Sequence, residues 1–290
     1  MTPREEQRAL VPPQLAEDAH KGQAGRVGVV CGSRWMPGAA LLVARAAQRA
    51  GAGLVHVACS SADRLEHLVP LSAPEAVLFE LEHAHDVSFK LAALELHAAV
   101  VGCGLAPAER AEALLQALLN APLAFGLVLD AGALNALAAA PERVAARRSP
   151  TVLTPHPGEA ARLLGRAIGR SAAEREAAAR ELAQRSRAIV CLKGARTVVT
   201  DGSRVYVNDT GNSGMATAGA GDVLAGILAA YLALTATGEH EAWTALDAAC
   251  AAVRVHGLAG DFAAAHLGKR ALVASDLIQW LPQAQRRLEA

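Results

Sequence analysis

Short apolar runs alternate with helix-like patterns along almost the whole chain. The runs at 26–31, 54–59, 98–102, 126–130, 151–153, 188–192, 197–200 and 204–207 have strand length and few charges. Between them lie alanine-rich or amphipathic stretches at 38–50, from Pro107 onward, at 131–139, around 159–164 and at 171–187. Helices at 219–235, 241–259 and 275–290 close the chain. Pro107 suits the first position of a helix, and Ser171 and Glu174 have the spacing of a capping box. Asp201-Gly202-Ser203 reads as a turn between two strands. Alternation at this spacing predicts an α/β fold, a three-layer αβα arrangement on a largely parallel sheet. No repeat or linker divides the chain. One domain over 1–290 is expected, with 1–19 as an N-terminal extension.

Composition narrows the function more than the fold. The chain has 290 residues, 52% of them hydrophobic, a formal charge of zero and only 3% aromatics. That leaves neither a basic surface nor a stacking surface for nucleic acid. No stretch of 18 apolar residues and no basic-then-apolar leader occurs, so a chain that is neither membrane-spanning nor secreted is expected. Cys31, Cys59, Cys103, Cys191 and Cys250 are dispersed and lie mostly in apolar runs, as reduced core residues of a cytoplasmic protein would. Of 28 basic residues only Lys21, Lys90, Lys193 and Lys269 are lysines, which leaves 24 arginines. Lysine is then of interest where it adjoins glycine, at Lys21-Gly22 and Lys193-Gly194.

In open α/β sheets ligands bind at the carboxyl ends of the strands. Polar signatures fall there repeatedly: Gly32-Ser33, Gly102-Cys103-Gly104, Asp130, Thr154 to Glu159, and Lys193-Gly194. The most informative stretch is Gly211-Asn-Ser-Gly-Met-Ala-Thr-Ala-Gly-Ala-Gly-Asp222, which runs straight into a buried-helix pattern from Val223. Free amides and a partial positive charge of about +0.5 make a helix start an anion site. Gly219 and Gly221 let backbone approach a phosphate. An acid at such a site repels the anion unless it acts on the phosphate's partner, taking a proton from a hydroxyl that attacks phosphorus. As a purely structural element, the same stretch is a connector with a capping acid. A P-loop is excluded, because no lysine lies between Lys193 and Lys269. The dinucleotide fingerprint fails at Pro107 and at Leu224, where its third glycine belongs.

Taken together, these residues resemble the NAD(P)H-hydrate dehydratases, nucleotide-dependent repair enzymes of ribokinase-like fold. The likeness rests on His20-Lys-Gly-x-x-Gly25, Gly32-Ser-x-x-Met-Pro-Gly-Ala39, Gly102-x-Gly104, Leu129-Asp-Ala131, Leu153-Thr-Pro-His-Pro-Gly-Glu159, Lys193-Gly-Ala-x-Thr197 and the 211–226 loop. It implies dehydration of hydrated NADH or NADPH (NADHX, NADPHX), a hydro-lyase reaction. The nucleotide phosphorylates the C6 hydroxyl, and phosphate then leaves. Asp222 matches the family's catalytic aspartate, with Gly219, Ala220 and Gly221 forming the anion hole beside it. It is expected to stay ionised at the helix start and to take the proton as the O–P bond forms.

By the same resemblance Ala39, Gly104, His156 and Asp222 line the hydrated-cofactor pocket. Lys193, Gly194, Ala195, Arg196, Thr197 and Gly221 bind the nucleotide, and Glu159 holds Mg2+ through water. The structural alternative for Glu159 is that it merely favours the first turn of a helix. The co-substrate is ADP or ATP. Bacterial members generally use ADP and animal members ATP, and the arginine- and alanine-heavy composition reads as bacterial, so ADP is expected. AMP and phosphate are then the products. A homo-oligomer, with a tetramer favoured, and a separate NAD(P)HX epimerase acting upstream are also implied. The epimerase half that is sometimes fused has no room here.

His20-Lys21 matches without a role, and His256 reads as structural. The family usually has Pro at 213, Gly at 218 and Thr at 220, where this chain has Ser213, Ala218 and Ala220. Ala218 would restrict the loop if its φ were positive. Two other functions remain open: a small-molecule kinase of the same fold acting on a vitamin precursor, and a non-enzymatic nucleotide sensor. The kinase shares Gly-x-Gly-Asp but has no reason to carry the other motifs as a set. The sensor has no need of Asp222.

Overall fold

The structure, a computed structural model, describes residues 10–138, 140–240 and 242–289. Residues 1–9 of the expected N-terminal extension lie outside the described residues, as do the expected helix limits at 139, 241 and 290. Nine strands form one sheet: β1 (Arg26–Val30), β2 (Leu54–Cys59), β3 (Val77–Glu80), β4 (Ala98–Val101), β5 (Gly126–Leu129), β6 (Thr151–Leu153), β7 (Ile189–Leu192), β8 (Val198–Thr200) and β9 (Val205–Val207). Their order is β3-β2-β1-β4-β5-β6-β7-β8-β9. Every pair through β7 is parallel, and only β7–β8 and β8–β9 are antiparallel.

The helices are α1 (Pro37–Arg49), α2 (Leu65–Ser72), α3 (Val87–Ala93), α4 (Ala108–Asn120), α5 (Gly132–Leu137) and α6 (Pro157–Leu164). They continue with α7 (Ala172–Ser186), α8 (Ala220–Leu234), α9 (Ala245–Leu267) and α10 (Ala274–Glu289). Alternate strand residues feed two cores, because side chains change face at each step. Val27, Val29, Val100 and Val128 pack with α1, α2, α8, α9 and α10, whereas Val101, Leu127 and Leu129 pack with α3 through α7. The result is the expected three-layer arrangement. At its centre α8 is buried from Val223 to Leu234. Gly226 brings it against α1: a Cβ there would strike the Val43 carbonyl and stand 2.8 Å from the Ala46 Cβ.

The chain leaves β1 toward β2 and β3 on one side, then returns to lay β4 on the other. That reversal opens a crevice at the carboxyl ends of β1 and β4, the usual ligand position in such sheets. Gly32, after β1, donates its N–H to the Cys103 carbonyl, after β4, at 2.7 Å. The motif-bearing loops therefore meet where the topology makes room.

Three elements between 65 and 93 were not expected. α2 contains Pro70 and starts from Arg64 at φ +58 with no side-chain cap, and α3 has only seven residues. β3 is an edge strand of four residues with both ends exposed, and its apolar run Val77-Leu78-Phe79 is only partly buried, between Glu75 and Glu80. Two boundaries also differ. Pro107 is the residue before α4 rather than its first, and α9 starts at a Thr244–Asp247 capping box and runs on to Leu267.

Candidate active site

Each site residue is placed by a strand end. β5 stops at Leu129, and Asp130 follows, 2% exposed. Its Oδ1 accepts the Ala131 N–H at 2.8 Å and the Lys193 Nζ at 2.7 Å. Lys193 follows β7, and its own N–H donates to the Pro155 carbonyl after β6 at 2.8 Å. Three loops are thus tied together around one cation. Burial opposes the charge on Lys193, but Asp130 and Glu159 outweigh it and hold the ammonium above its ordinary pKa. It is a fixed positive charge.

The glycine-rich loop delivers its end onto that charge. Gly219, at φ +87, is the residue before α8, so Ala220, Gly221 and Asp222 form the helix's first turn with amides free of helical partners. A Cβ on Gly221 would sit 3.4 Å from Lys193 Nζ and 3.7 Å from Asp130 Oδ2. Lysine, free amides and helix end converge as an anion hole requires. The loop's entry is held as well. Asn212 Oδ1 accepts the Gly214 N–H at 2.9 Å, so Ser213 in place of proline leaves the turn capped. Ala218 is not among the residues with positive φ, and its restriction therefore has no effect.

Asp222 departs from expectation in one respect. Burial, then the negative charge of Asp130, pushes its carboxyl up to about 6, despite the helix end. Cys103 Sγ, an Asp130 oxygen and an Asp222 oxygen all lie within 4.8 Å of one another. Cys103 is fully buried, and its thiol is pushed well above the ordinary range by its contact with Cys31 and by burial. A half-buried acid poised near neutrality is suited to take up a proton.

His156 and Glu159 form the start of α6 together. His156 Nδ1 accepts the N–H groups of Gly158 and Glu159 at 3.0 and 3.3 Å, and Glu159 Oε2 accepts the His156 N–H at 2.8 Å. The imidazole acts as the asparagine of a capping box would. Because Nδ1 accepts, the proton is on Nε2, which is free to face a ligand from a half-exposed side chain. Glu159 is 5% exposed and stands 4.0 Å from Lys193 Nζ, with Oε1 bonded to no donor closer than His156 Nε2 at 3.6 Å. So Glu159 does stand in the first turn of a helix, where it also completes a capping box that was not expected, and it has one oxygen left over. Among the described residues the group of possible ligand atoms within 4.8 Å is Cys103, Asp130 and Asp222, without Glu159. Its two carboxylates are hard donors that suit Mg2+ and its thiol is not, so Glu159 fits the ion only at the distance of a bridging water.

At the crevice Gly104, at φ +62, faces α1: a Cβ there would come 2.6 Å from the Ala39 Cβ and 3.0 Å from the Met36 carbonyl. Ala39 and Gly104 are brought together as expected. His20 and Lys21 are not. They form a turn before β1, at the other end of that strand from the site, where the Lys21 carbonyl would meet a Cβ on Gly53. Residues 193–197 form a bent loop with Gly194 at φ +148 and Arg196 at φ +60, closed by the Thr197 hydroxyl on the Gly194 carbonyl at 3.1 Å. Arg175 of α7 braces it, donating to the Ala195 carbonyl at 2.7 Å and to those of Leu192 and Lys193 at 3.3 Å. Sequence reading missed Arg175, one of many arginines. It marked Asp130 as a strand-end acid without seeing that Lys193 is its partner.

A family model described as NAD(P)H-hydrate dehydratase matches residues 27–283. The chain belongs to this family. It is similar to the bifunctional NAD(P)H-hydrate repair enzyme Nnr of Coxiella burnetii, 39% identical over 93% of this chain and 52% of that one. It is also similar to the ADP-dependent (S)-NAD(P)H-hydrate dehydratase of Neisseria meningitidis, 40% identical over 85% of this chain and 79% of that one. Among solved structures it is similar to the ADP/ATP-dependent NAD(P)H-hydrate dehydratase of Bacillus subtilis co-crystallised with ATP/Mg2+. That likeness has a TM-score of 0.83 and 31% identity, and covers 98% of this chain and 96% of the other. A ribokinase-like superfamily protein of Enterococcus faecalis, 24% identical with a TM-score of 0.79, shares the fold. The chain spans about half the length of the bifunctional relatives it matches. Like the fold, the family read from the motifs is borne out. Among the described residues no helix is long and apolar enough to cross a membrane, and all five cysteines are buried and free.

Proposed function

We propose that this chain dehydrates NADHX and NADPHX, driven by ADP, with release of AMP and phosphate. The observation that carries this is Asp222 at the end of the glycine-rich loop, half-buried, with the Lys193–Asp130 pair beside Gly221. The C6 hydroxyl oxygen of the hydrated nicotinamide attacks the β-phosphorus of ADP, the bond from phosphorus to the bridging oxygen breaks, and Asp222 accepts the hydroxyl proton. Phosphate then leaves C6, and loss of a proton from the adjoining ring carbon restores the double bond. Lys193 and the first-turn amides of α8 hold the charge that accumulates on the transferred group. Bound through water by Glu159, Mg2+ would shield the nucleotide's phosphates.

ADP is placed against 193–197, and the hydrated cofactor between Ala39, Gly104 and His156. The Neisseria relative's name supports ADP. The free cysteines support a reduced, cytoplasmic setting. A homo-oligomer, with a tetramer favoured, and an upstream epimerase complete the reading and rest on the family resemblance. Recovery of the reduced-nicotinamide absorbance from hydrated NADH, with ADP and ATP compared, tests the reaction. Phosphate release without hydrated cofactor, or phosphorylation of a vitamin precursor instead, overturns it.

Two substitutions test the placement. Glu159→Gln should raise the Mg2+ concentration needed for half-maximal rate and lower the rate, because it removes the charge that holds the ion. Glutamine still caps, so the start of α6 survives. An unchanged Mg2+ titration leaves Glu159 with its cap alone. Ala39→Leu should weaken the hydrated cofactor far more than ADP, since Ala39 is already closed against Gly104 and an isobutyl group must project into the crevice where the dinucleotide is proposed to lie. Overpacking of this kind costs about 1–3 kcal/mol, or roughly 5- to 150-fold in affinity. Separate titrations of the two ligands decide it, and equal losses would show the halves of the site reversed.

A further inference from the structure

His256 lies on α9, outside every motif of the site. Its Nε2 is 2.9 Å from the carbonyl oxygen of Ala220, the first residue of α8. Burial pushes the imidazole down to about 4, and Lys193 acts in the same direction, so the ring is neutral. A neutral ring nitrogen facing a carbonyl oxygen must carry the proton, and Nε2–H therefore donates. That carbonyl belongs to the same peptide unit as the Gly221 N–H. In a trans peptide the two point in opposite directions, so fixing the oxygen on the α9 side turns the amide away from α9. Gly221 is the residue whose missing Cβ borders Lys193 and Asp130.

The same stretch of α9 holds the loop's other end. Asp261 accepts the Gly211 N–H at 2.8 Å and the Asn212 side-chain amide at 2.9 Å. Thr210 Oγ1 donates to the Arg254 carbonyl at 3.0 Å, and Gly257 and Gly260 leave room for Thr210 and Met215. Residues 254–261 thus grip the loop before its first glycine and after its last but one. Besides the Leu224 N–H of the helix itself, His256 reaches the carbonyl of the peptide whose amide serves the phosphate.

We propose that His256 is a positioning residue: through the Ala220 carbonyl it sets the direction of the Gly221 N–H that receives the transferring phosphoryl group. This rests on the reaction proposed above. Removing it leaves the Ala220 carbonyl with its intrahelical partner alone, so the first-turn peptide plane can tilt and misalign the anion hole, while Asp222 and Lys193 stay where they are.

The test compares His256→Leu with His256→Gln, whose side-chain amide can reach the same carbonyl. For wild type and both variants, kcat, the KM for ADP, the melting temperature and direct titrations with ADP and with AMP are measured. His256→Leu should lower kcat by about 10- to 100-fold, the effect of a misdirected donor. Its preference for ADP over AMP, which differ in the phosphate the amide meets, should fall by about tenfold. His256→Gln should recover most of both. A contact that only stabilises would lower the melting temperature yet leave kcat and the ADP preference unchanged well below it, and that result overturns the proposal. Equal losses in the two variants overturn it as well. If wild type restores no NADH, the proposed reaction falls, and the nucleotide titrations still decide the role of His256. Should His256→Leu not fold, His256→Asn, too short to reach, takes its place.

Discussion

Asp222→Asn is expected to fold, bind nucleotide and lose roughly 10²–10⁴-fold in turnover, the usual worth of a positioned base. The amide is nearly the same size and cannot take the hydroxyl proton. Because burial and Asp130 push the carboxyl up to about 6, the wild-type rate should fall as pH drops through that value and the base becomes protonated. The variant should show no such limb. Stability should move the other way. The ordinary value is 3.8, so ionisation in the fold is disfavoured, a cost absent well below pH 3.8, growing up to about pH 6 and complete above it. Asp222→Asn should therefore be more stable than wild type at pH 8 by about 1–2 kcal/mol, with the gain gone at low pH. Thermal melts across pH and single-turnover rates check both halves. A variant with wild-type turnover would remove Asp222 from the chemistry.

The second large effect is expected at Gly221. Gly221→Val should keep the fold and lose about 10²–10³-fold in rate, the worth of a blocked anion-hole donor. The backbone does not require glycine here, since φ is not positive and a Cβ would meet Lys193 only at 3.4 Å. In the first turn of α8, valine even has the better helix propensity, by a few tenths of a kcal/mol. What it removes is the space through which phosphate reaches the amides. Gly219 is the contrast. At φ +87, with a Cβ there only 2.5 Å from Leu42, its substitution should fail in folding rather than in catalysis. A folded and fully active Gly221→Val would mean that the loop does not cradle phosphate.

Most of the sheet was legible because a buried parallel strand writes itself as an unbroken apolar run, as Val27 to Val30 and Gly126 to Leu129 do. β3 did not, since an edge strand buries little and the three apolar residues Val77 to Phe79, set between Glu75 and Glu80, are too short a run to be distinguished. In the candidate site, the glycines at 219 and 221 were visible in the sequence as positions where backbone can approach a ligand, and the structure places them at the start of α8. Partnerships were not visible. Asp130 and Lys193 lie 63 residues apart and meet only because β5 and β7 end on the same edge of the sheet. His156 looked like a ligand-facing residue and is also a helix cap, a role that its position before Pro157 signals. His256 carries no local sign at all, since its partner is a backbone carbonyl on another helix.

The close seating of α8 on α1 has a mechanical meaning. Both helices begin at the site, α1 beside the crevice at Ala39 and α8 at the anion hole. At Gly226 α8 meets the backbone of α1 at Val43 and Ala47 and the Ala46 methyl, and at Gly219 it meets the Leu42 side chain, so the surfaces touch too tightly to slide. The two halves of the site are therefore ends of one stiff strut. In the reaction proposed above, the span between dinucleotide and phosphate would then be set before either arrives, with loops such as 33–36 and 211–218 left to adjust. The pair works as a gauge. Under the proposed reaction, two molecules would react when their lengths bring the hydroxyl and the phosphorus to that fixed span, and a ligand of the wrong reach would be refused without any part of the core having to move.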